Sequence, residues 1–292
     1  MSPCDLSLGF VGLGALGRPM AANLCQAGFA LKVHTRSRSA ETAPELLGAQ
    51  ACASPAEASD DVDVLLLCVS DDAAVESVLF GHEGAADGLR PGSVVLDCST
   101  ISPAQAVRNA RRLERQQVTY LDAPVTGGTE GARAGSLTVL VGGDADALRL
   151  VQPVLAVIGG TVHHFGEVGR GQQVKAVNQV LVAGSYAAVA EAMALGERLE
   201  LPMSQVVEAL KGGAAGSWAL SHRAEGMLAG LYPLGFKMAL HHKDLDIALR
   251  TAATVQLELP ISRLVQQQES ELIQRGYGND DVSALHRQFR TV

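Results

Sequence analysis

The fold is decided by residues 6–17, which read LSLGFVGLGALG. A mostly apolar run suited to a buried strand is followed by a glycine-rich turn and then by a helical segment. This context suits the pattern G-x-G-x-x-G, in which the glycines permit a tight turn, the approach of a pyrophosphate and close helix–strand packing. Unpaired N–H groups at the start of the helix would face the phosphates. The turn predicts a dinucleotide cofactor held by Gly12, Leu13, Gly14, Ala15, Leu16 and Gly17.

The turn after the second predicted strand bears on which dinucleotide binds. It reads HTRSR at residues 34–38 and offers no carboxylate for the ribose hydroxyl of NAD, whereas Arg36 could pair with the 2′-phosphate of NADP. The alternative is that Arg36 and Arg38 are ordinary exposed loop residues. We favour NADP, with NAD possible, and expect cofactor contacts from Thr35, Arg36 and Ser37.

Short β-branched apolar runs alternate with helical segments from residue 6 to about residue 165, which is typical of βαβ units. This pattern predicts an α/β Rossmann domain over residues 1–165 with a doubly wound, mostly parallel sheet. Strands are expected at residues 6–11, 30–34, 64–69, 94–97, 119–123, 137–141 and 162–165. Ser54 and Glu57 predict a capping box, and Gly28 predicts the C-terminal cap of the first helix.

The strand signals stop after residue 165, and Ala, Leu, Gln and Glu follow at helical spacing. Residues 166–292 are therefore expected to form an all-α domain for substrate binding and oligomerisation. Residues 166–171 form a short glycine-rich connection. One long interdomain helix, from Gln172 to about Glu200, is expected to lead into this domain.

Two further turns are expected at the edge of the sheet where ligands of such folds bind. The first holds Cys68, Val69 and Ser70, and the second holds Ser99 and Thr100. Their backbone and hydroxyl groups could contact the ribose and nicotinamide, or they could cap the helices that follow. We assign Cys68, Val69, Ser70 and Thr100 to the cofactor.

A second glycine-rich loop reads DAPVTGG at residues 122–128. Such a loop can direct several backbone N–H groups at a small anion such as a carboxylate. The same glycines could instead serve a tight turn and nothing more. Thr126, Gly127 and Gly128 are the expected substrate anchors.

Residues 172–179 read QQVKAVNQ and place a lysine in an otherwise apolar helix. Lys175, Asn178 and Gln179 lie at helical spacing and share one face. Burial beside a cationic nicotinamide would favour the neutral amine, which makes Lys175 a candidate catalytic acid and base. A solvated helical lysine is the alternative.

A third candidate segment reads HHKDL at residues 241–245. Adjacent helical positions point in different directions, so Lys243 and Asp244 are not expected to pair within the helix. His241 and His242 are adjacent too, whereas helical metal ligands normally lie three or four residues apart. No metal site is predicted.

Composition narrows the class of protein further. Of the 292 residues, 47% are hydrophobic and 18% charged, which excludes a disordered chain. The net charge of −8 argues against a nucleic-acid partner. Five cysteines without a C-x-x-C pair suggest neither a disulfide framework nor a zinc site and favour a reducing cytoplasm.

The expected setting is the cytoplasm, without a membrane partner. Residues 1–5 lack the basic start of a secretory signal, and the uncharged run at residues 176–190 is shorter than the ~20 apolar residues of a membrane span. The second domain has more apolar helical surface than one core needs, which predicts a homodimer or homotetramer.

Four motifs together resemble the β-hydroxyacid dehydrogenase family, the group of 3-hydroxyisobutyrate dehydrogenases, tartronate semialdehyde reductases and glyoxylate reductases related to 6-phosphogluconate dehydrogenase. They are, in chain order, GFVGLGALGRPMAANL at residues 9–24, DAPVTGG at 122–128, GQQVKAVNQ at 171–179 and KDL at 243–245. The resemblance covers nearly the whole chain. It implies a Rossmann domain, a helical domain and an active cleft between them.

The resemblance also implies roles for single residues. The family's catalytic lysine falls on Lys175, and its substrate-loop serine falls on Thr126, which adds a methyl group. Lys243 matches a lysine near the cofactor, and Gln179 replaces a second Asn that some members carry. The segment at residues 212–218 is similar to the family's substrate-side loop. The implied substrate contacts are Thr126, Gly127, Gly128, Asn178, Gln179, Trp218, Lys243 and Asp244.

The implied activity is that of an NADP(H)-preferring oxidoreductase. Its substrate would be a small, carboxylate-bearing β-hydroxyacid or short hydroxyacid, interconverted with the semialdehyde or keto form. One alternative is a dinucleotide-sensing or scaffold module without turnover, which would not need Lys175. Another is an imine reductase-like enzyme of the same architecture, a group that usually replaces this lysine.

Overall fold

A computed structural model describes residues 6–290 of the chain. The expectation about the N-terminal residues 1–5, Cys4 included, lies outside the described residues. The chain divides into two compact units between Lys175 and Ala176. Each unit has its own hydrophobic core.

The first unit is built on a six-stranded sheet in which every neighbouring pair is parallel, in the order β3-β2-β1-β4-β5-β6. Its strands are β1 (Ser7–Val11), β2 (Ala30–His34), β3 (Gln50–Ala51), β4 (Val64–Leu67), β5 (Val94–Asp97) and β6 (Thr119–Asp122). The helices of this unit are α1 (Gly17–Gln26), α2 (Pro55–Ser59), α3 (Asp72–Phe80), α4 (Pro103–Glu114), α5 (Gly128–Ala134) and α6 (Ala145–Ile158).

Helices cover both faces of this sheet because consecutive strand residues point to opposite sides. On one face Leu66 and Leu96 belong to the core that includes Met20 of α1. On the other face Leu65 packs in a second core with Leu79 of α3. The expected doubly wound Rossmann architecture is confirmed.

The remaining strands form a separate three-stranded sheet. They are β7 (Val125–Thr126), β8 (Leu137–Val141) and β9 (Gly159–His164). β7 runs antiparallel to β8, and β9 runs parallel to it. β8 is joined to the end of the main sheet by a bridge between Asp122 and Gly142.

The second unit is helical throughout its described part. Helix α7 (Arg170–Arg198) begins in the first unit and supplies most of its length to the second. It is followed by α8 (Met203–Leu210), α9 (Trp218–Ala229), α10 (Met238–Thr254) and α11 (Pro260–Leu272). Tyr186 and Met193 of α7 pack with Leu220, Met227 and Leu245 in the core. The expected long helix and all-α second part are confirmed.

Candidate active site

The three glycines of the turn between β1 and α1 are needed for three different reasons. Gly12 has a φ of +105°, and a side chain there would collide with the carbonyl oxygen of Cys68. A side chain at Gly17 would collide with the carbonyl oxygen of Gly12. A Cβ atom added at Gly14, however, meets nothing within 4 Å. The turn is closed towards the protein and open where a pyrophosphate would approach.

Helix α1 begins without a side-chain cap, since the preceding residue is Leu16. The N–H groups of a first helical turn lack helical partners and carry partial positive charge, so they suit an anion. Leu13 is buried, whereas Gly14 and Ala15 are exposed. The residues of this turn therefore fit the diphosphate of a dinucleotide.

Residues 34–38 contain no carboxylate, as expected, but the carboxylate of Glu41 folds back onto this turn. Glu41 folds back so that its Oε1 accepts a hydrogen bond from the backbone N–H of Thr35 at 2.9 Å. Its Oε2 pairs with Nε of Arg38 at 2.8 Å. The carboxylate beside this turn therefore comes from Glu41, which lies three residues beyond it and was not among the expected residues. Both of its oxygens hold the turn together.

Arg36 differs from Arg38, which is paired with Glu41. Arg36 is exposed, and within residues 6–290 its side chain makes no hydrogen bond or ion pair. Ser37 beside it is exposed as well, and Thr35 is half-buried. A guanidinium group in this position is available for a phosphate.

The turns after β4 and β5 are tied to each other. Oγ of Ser99 accepts a hydrogen bond from the N–H of Val69 at 3.0 Å. The N–H of Ser99 donates to the carboxylate of Asp97 at 2.9 Å. Cys68 and Val69 are half-buried at this edge, next to the glycine turn.

The alternative role of these turns, helix capping, is wrong for Ser70 and Thr100. Helix α3 is capped by Asp71, whose side chain accepts from the N–H of Ala74. Helix α4 is capped by Ser102. Both caps lie one or two residues further along the chain than expected, because the backbone stays extended until that point.

The second glycine loop leaves β6 and forms the short strand β7. Gly127 and Gly128 have φ values of +130° and +64°, which side chains rarely permit. Thr126 pairs with Thr138 of β8, and within residues 6–290 its hydroxyl group makes no hydrogen bond. Thr126 is half-buried and Gly127 is exposed, so the loop offers polar groups to a small ligand.

The first turn of α7 is bonded to the end of β6 through Asp122, which is fully buried. Oδ1 of Asp122 accepts a hydrogen bond from the N–H of Gly169 at 2.7 Å. Oδ2 accepts one from the N–H of Gln172 at 2.8 Å. A carboxylate is well suited to this place, since these N–H groups begin a helix.

The same helical turn is also bonded to the end of β5. Nε2 of Gln172 donates to the carbonyl oxygen of Ser99 at 2.8 Å, and Oε1 accepts from the N–H of Ile101 at 3.2 Å. Lys175 follows three residues after Gln172 and is only 7% exposed. The alternative of a solvated lysine is wrong, because the helix carries Lys175 into a buried position.

Two carboxyl groups at these strand ends titrate close to neutral pH. Burial raises the pKa of Asp97 to about 6, against the opposing hydrogen bonds from Tyr120 and Ser99. Burial likewise raises the pKa of Asp122 to about 6, and the N–H groups of Gly169 and Gln172 oppose the rise. The edge of the sheet therefore holds two acids that change charge in the physiological range.

In the second unit, four residues expected to contact substrate form one polar cluster. Nδ2 of Asn178 donates to Oε1 of Gln179 at 2.7 Å, and Nε2 of Gln179 donates to Oδ2 of Asp244 at 2.5 Å. Nζ of Lys243 pairs with Oδ1 of Asp244 at 2.7 Å. The expectation that Lys243 and Asp244 do not pair is wrong, because the long lysine side chain bends to its neighbour.

His241 lies beside this cluster and is fully buried. Its Nδ1 is 2.6 Å from Oε1 of Glu269, and its Nε2 is 3.4 Å from the carbonyl oxygen of Gln179. Burial alone would lower the pKa of His241, but the carboxylates of Glu269 and Asp244 raise it above its ordinary value. His241 and Glu269 therefore form a buried hydrogen-bonded pair beside the cluster.

Trp218 is a separate feature of the second unit. It begins α9 after the cap Ser217 and stacks on the ring of His222, with ring centres 4.5 Å apart. The guanidinium group of Arg223 lies 4.6 Å from the centre of the Trp218 ring. The indole is half-exposed and takes no part in the hydrogen bonds between Asn178, Gln179, Lys243 and Asp244 described above.

Three buried polar side chains that organise the site were not among the expected residues. Asp122 carried a signal, since a carboxylate directly after a buried parallel strand lies at the ligand-binding edge. Gln172 carried one as well, because it lies three residues before Lys175 on the same helical face. Glu41 carried no such signal, because it lies outside residues 34–38 and reaches Thr35 only through the fold of the chain.

Comparison with known proteins gives matches along both units. The profile described as the NAD binding domain of 6-phosphogluconate dehydrogenase matches residues 7–166. A second profile, described as NAD-binding of NADP-dependent 3-hydroxyisobutyrate dehydrogenase, matches residues 169–289. Together they account for nearly every described residue.

Individual relatives agree with these profiles. The chain is 38% identical over 282 residues to the 2-hydroxy-3-oxopropionate reductase of Escherichia coli (strain K12), covering 96% of each chain. It is 37% identical over 290 residues to the L-threonate dehydrogenase of Cupriavidus necator, covering 97% of this chain and 96% of that one. The structure of a 3-hydroxyisobutyrate dehydrogenase from Salmonella typhimurium superposes with a TM-score of 0.88 at 33% identity, over 97% and 100% of the chains.

Proposed function

Because the chain belongs to the β-hydroxyacid dehydrogenase family, we propose that it interconverts a small β-hydroxyacid, or a related short hydroxyacid, with its semialdehyde or keto form. The chain is an NAD(P)-dependent oxidoreductase of the class that acts on a CH–OH group, as the names of its relatives describe. Within that class, the preferred cofactor of the proposal is NADP(H) and the acid and base is Lys175.

Buried Lys175 is the observation that carries this proposal. It lies at the start of α7, which is hydrogen-bonded to the ends of β5 and β6. The bound cofactor supplies hydride transfer to or from the substrate carbon. In the reducing direction Nζ of Lys175 donates a proton to the carbonyl oxygen, and in the oxidising direction it accepts the hydroxyl proton.

The substrate is expected to carry a carboxylate. Thr126, with an unbonded hydroxyl group, and the glycine backbone at Gly127 and Gly128 are the proposed anchors for it. Asn178 and Gln179 are the proposed contacts to the hydroxyl or carbonyl group. The compounds named for the three relatives are all small oxygenated acids, in agreement with an anchor of this kind.

NADP is the proposed cofactor on the strength of Arg36. Its guanidinium group is exposed and unbonded within residues 6–290, whereas Glu41 uses both carboxylate oxygens inside the turn. Glu41 is also only 7% exposed, so its carboxylate offers little accessible surface to the ribose hydroxyl of NAD. Arg36 is therefore expected to meet the 2′-phosphate.

The proposed setting of the enzyme is the cytoplasm, and two alternative functions are not favoured. Cys25, Cys52, Cys68 and Cys98, the cysteines of the described residues, are unpaired thiols, which suits a reducing cytoplasm. A sensor or scaffold without turnover and an imine reductase-like enzyme are not favoured, because the relatives are named as hydroxyacid dehydrogenases and reductases.

The test is oxidation of NADPH and NADH by the purified protein with 2-hydroxy-3-oxopropionate, other short semialdehydes and glyoxylate. Lys175→Ala is measured beside the wild type, together with cofactor binding by fluorescence. We expect turnover with NADPH to fall by about 100-fold or more in the variant while the Kd for NADPH stays near that of the wild type.

Lys211→Ala is the matched control, because Lys211 is half-exposed and pairs with Glu208. It is expected to keep wild-type turnover. Equal loss of turnover and cofactor affinity in Lys175→Ala would contradict the proton-transfer role. Cofactor binding without turnover on any compound of the panel would contradict the proposed activity.

A further inference from the structure

Asp122 lies where three elements of the first unit meet. Its backbone N–H and carbonyl oxygen bond to Gly142 after β8, with N···O distances of 3.1 and 2.8 Å. Its carboxylate accepts from two N–H groups, those of Gly169 and Gln172 at the start of α7. Through its backbone and side chain together, Asp122 thus connects both sheets of the unit with the helix that carries Lys175.

Two glycines shape the space around this carboxylate. A Cβ atom at Gly142 would lie 2.6 Å from Oδ1 of Asp122 and 2.7 Å from the carbonyl oxygen of Glu167. A Cβ atom at Gly171 would lie 2.9 Å from Oδ2 of Asp122 and would collide with the carbonyl oxygen of Leu140. Since real Cβ contacts are longer than this, both positions require glycine for α7 to start so close to Asp122.

Gln172 hydrogen-bonds the first turn of α7 to the residues that follow β5. Its backbone N–H bonds Asp122, while its side chain bonds Ser99 and Ile101 after β5. The residue is 1% exposed. The first turn of α7 is therefore fixed to β5 and β6 by four hydrogen bonds, and Lys175 follows one helical turn later.

We propose that Asp122 is a positioning residue that fixes the start of α7 and thereby holds the amine of Lys175 at the reacting atoms. This inference rests on the proposed role of Lys175. Asp122 transfers no proton to the substrate in this account. Asp122 acts by aligning the amine of Lys175 with the substrate. A displacement of about 1 Å at a reacting group lowers the rate by up to about 100-fold.

The arrangement distinguishes a carboxylate from its amide. Asp122 accepts two hydrogen bonds from two backbone N–H groups, one on each oxygen. In Asp122→Asn one of these N–H groups would face an NH₂ group, and a buried donor would lose its acceptor. The change preserves the volume of the side chain but removes one of the two hydrogen bonds that hold the start of α7.

Asp97 offers a matched control, because it is equally buried, lies at the end of the neighbouring strand and also has a raised pKa. Its partners are the hydroxyl group of Tyr120 at 2.6 Å and the N–H of Ser99. A tyrosine hydroxyl accepts as well as donates, so Asp97→Asn can keep both hydrogen bonds. Asp97 makes no hydrogen bond to α7 among those described.

The experiment measures kcat, KM and the Kd for NADPH for the wild type, Asp122→Asn, Asp97→Asn and Lys175→Ala, with 2-hydroxy-3-oxopropionate as the first probe. We expect Asp122→Asn to lose about 10- to 100-fold in kcat while KM and Kd change by about twofold or less. Asp97→Asn is expected to keep wild-type kcat within about threefold.

Amide hydrogen exchange of the apo protein supplies a readout that needs no turnover. In Asp122→Asn, exchange at Gly169 and Gln172 is expected to speed up while β1, β4 and β5 stay protected. Uniformly faster exchange through the sheet would show a merely structural role and would overturn the proposal.

The outcomes separate the two hypotheses. Wild-type kcat in Asp122→Asn together with an inactive Lys175→Ala overturns the positioning role and leaves the proposed function intact. Wild-type kcat in Lys175→Ala overturns both.

Should Asp122→Asn fail to fold, Gly142→Ala decides the question. That variant keeps the carboxylate but displaces it from the start of α7. A loss of kcat without a loss of NADPH binding supports the positioning role, and wild-type kcat overturns it.

Discussion

At the scale of single residues, Arg36 and Arg38 differ in what they are bonded to, and this difference predicts cofactor preference. Arg38 is paired with Glu41, whereas Arg36 is exposed and unpaired within residues 6–290. We expect Arg36→Ala to weaken NADPH binding about 10- to 100-fold, since a hydrogen bond to a charged group contributes roughly 1.5–3 kcal/mol. NADH binding should not change. The measurement is a titration of the wild type and the variant with each cofactor.

Arg38→Ala is the control for this prediction. It removes a partly exposed ion pair, which contributes about 0–1 kcal/mol, and is expected to affect NADPH and NADH alike. If Arg36→Ala weakened the binding of NADH as much as that of NADPH, the guanidinium group would not be binding the 2′-phosphate.

Asp97 predicts a pH dependence of stability. Burial raises its pKa from 3.8 to about 6, so between these values the native state binds a proton that the unfolded state releases. The free energy of unfolding therefore falls as the pH rises from about 4 to 6, by about 3 kcal/mol for this group. Asp97→Asn removes this contribution. Relative to the wild type, the variant should gain stability steadily over that interval in urea unfolding experiments.

Asp146→Asn is the matched control, because that carboxylate is mostly exposed and pairs only with Arg149 at the surface. Its unfolding curves show the effect of an Asp-to-Asn change made at the surface, against which the effect of the buried change is compared. A difference between Asp97→Asn and the wild type that does not change with pH would mean that the pKa of Asp97 is not raised in the native state.

At the scale of elements, the turn between β1 and α1 predicts opposite behaviour for two glycine substitutions. Gly12→Ala should lower the free energy of unfolding by at least about 2 kcal/mol, because of its positive φ and the collision with Cys68. Gly14→Ala meets no protein atom, so stability should be unchanged or slightly higher. NADPH affinity should nevertheless fall about tenfold or more, since the methyl group would occupy the approach of the pyrophosphate.

Thermal unfolding and NADPH titration of the two variants check this pair. Undiminished NADPH affinity in Gly14→Ala would place the pyrophosphate elsewhere. Equal loss of stability in both variants would mean that the space above Gly14 is filled by the protein itself.

The strands show what pattern alone predicts. β2, β5 and β8 begin and end at the expected residues, because turns bound them clearly on both sides. β2 alternates buried and more exposed residues, whereas β5 and β8 are mostly buried. β3 and β7 were missed, since each has two residues and no periodicity to detect. β9 begins at Gly159, three residues earlier than expected, because the glycines that open it carry no apolar signal.

Helix ends were predicted in part. Gly28 has a φ of +88° just after α1, in agreement with its expected place at the helix end. Ser54 caps α2 by accepting from the N–H of Glu57, as expected. Glu57 does not close the box, however, since its carboxylate bonds the N–H of Ala53 instead of that of Ser54.

The candidate site divides along similar lines. The glycine turn and the helix of Lys175 were predictable because each is marked by neighbouring residues, the G-x-G-x-x-G pattern at residues 12–17 and the segment QQVKAVNQ at residues 172–179. The contacts of Asp122 were not, because they join residues 47 and 50 positions apart in the chain. Glu41 lies only six residues from Thr35, but its contact depends on how the chain folds back after Arg38. Such pairings depend on the packing of whole elements, which local sequence does not specify.

At the scale of the whole molecule, the exposed side of α7 is the largest feature that the site does not explain. The helix has 29 residues and a mean hydropathy of 1.3 over its most apolar window, of which 39% is buried. The uncharged run at residues 176–190 is too short to cross a membrane, but the helix that contains it is long enough. Core helices of soluble proteins meet the same criterion of length and hydropathy. The exposed residues of α7 therefore have to indicate what covers this side of the helix.

That pattern is symmetric about Ala188. Val177, Leu181 and Leu195 of α7, and Leu199 directly after its end, are each 60–69% exposed. Positions 177 and 199, like 181 and 195, lie at equal distances from Ala188. Gly184, Ser185, Ala188 and Ala192 are exposed or half-buried in the middle of this face, and the exposed Glu191 lies beside them. In a twofold-symmetric pair, residue i of one copy meets residue j of the other, and j meets i. The face is therefore suited to antiparallel pairing with a second copy of the chain.

Charge substitutions test this pairing and its register together. We expect the wild type to be a dimer or tetramer by size-exclusion chromatography with light scattering. Leu181→Glu and Leu195→Lys should each lower the oligomeric state, because each buries an unpaired charge at the contact. The double variant should regain it, since position 181 of one copy would face position 195 of the other with opposite charge.

Leu231→Glu is the control, because Leu231 is 66% exposed but lies outside α7. It should leave the oligomeric state unchanged. A monomeric wild type, or recovery of the wild-type protein only from detergent-solubilised membranes, would contradict pairing through this face. Disruption by both single variants without rescue in the double variant would contradict the antiparallel register centred on Ala188.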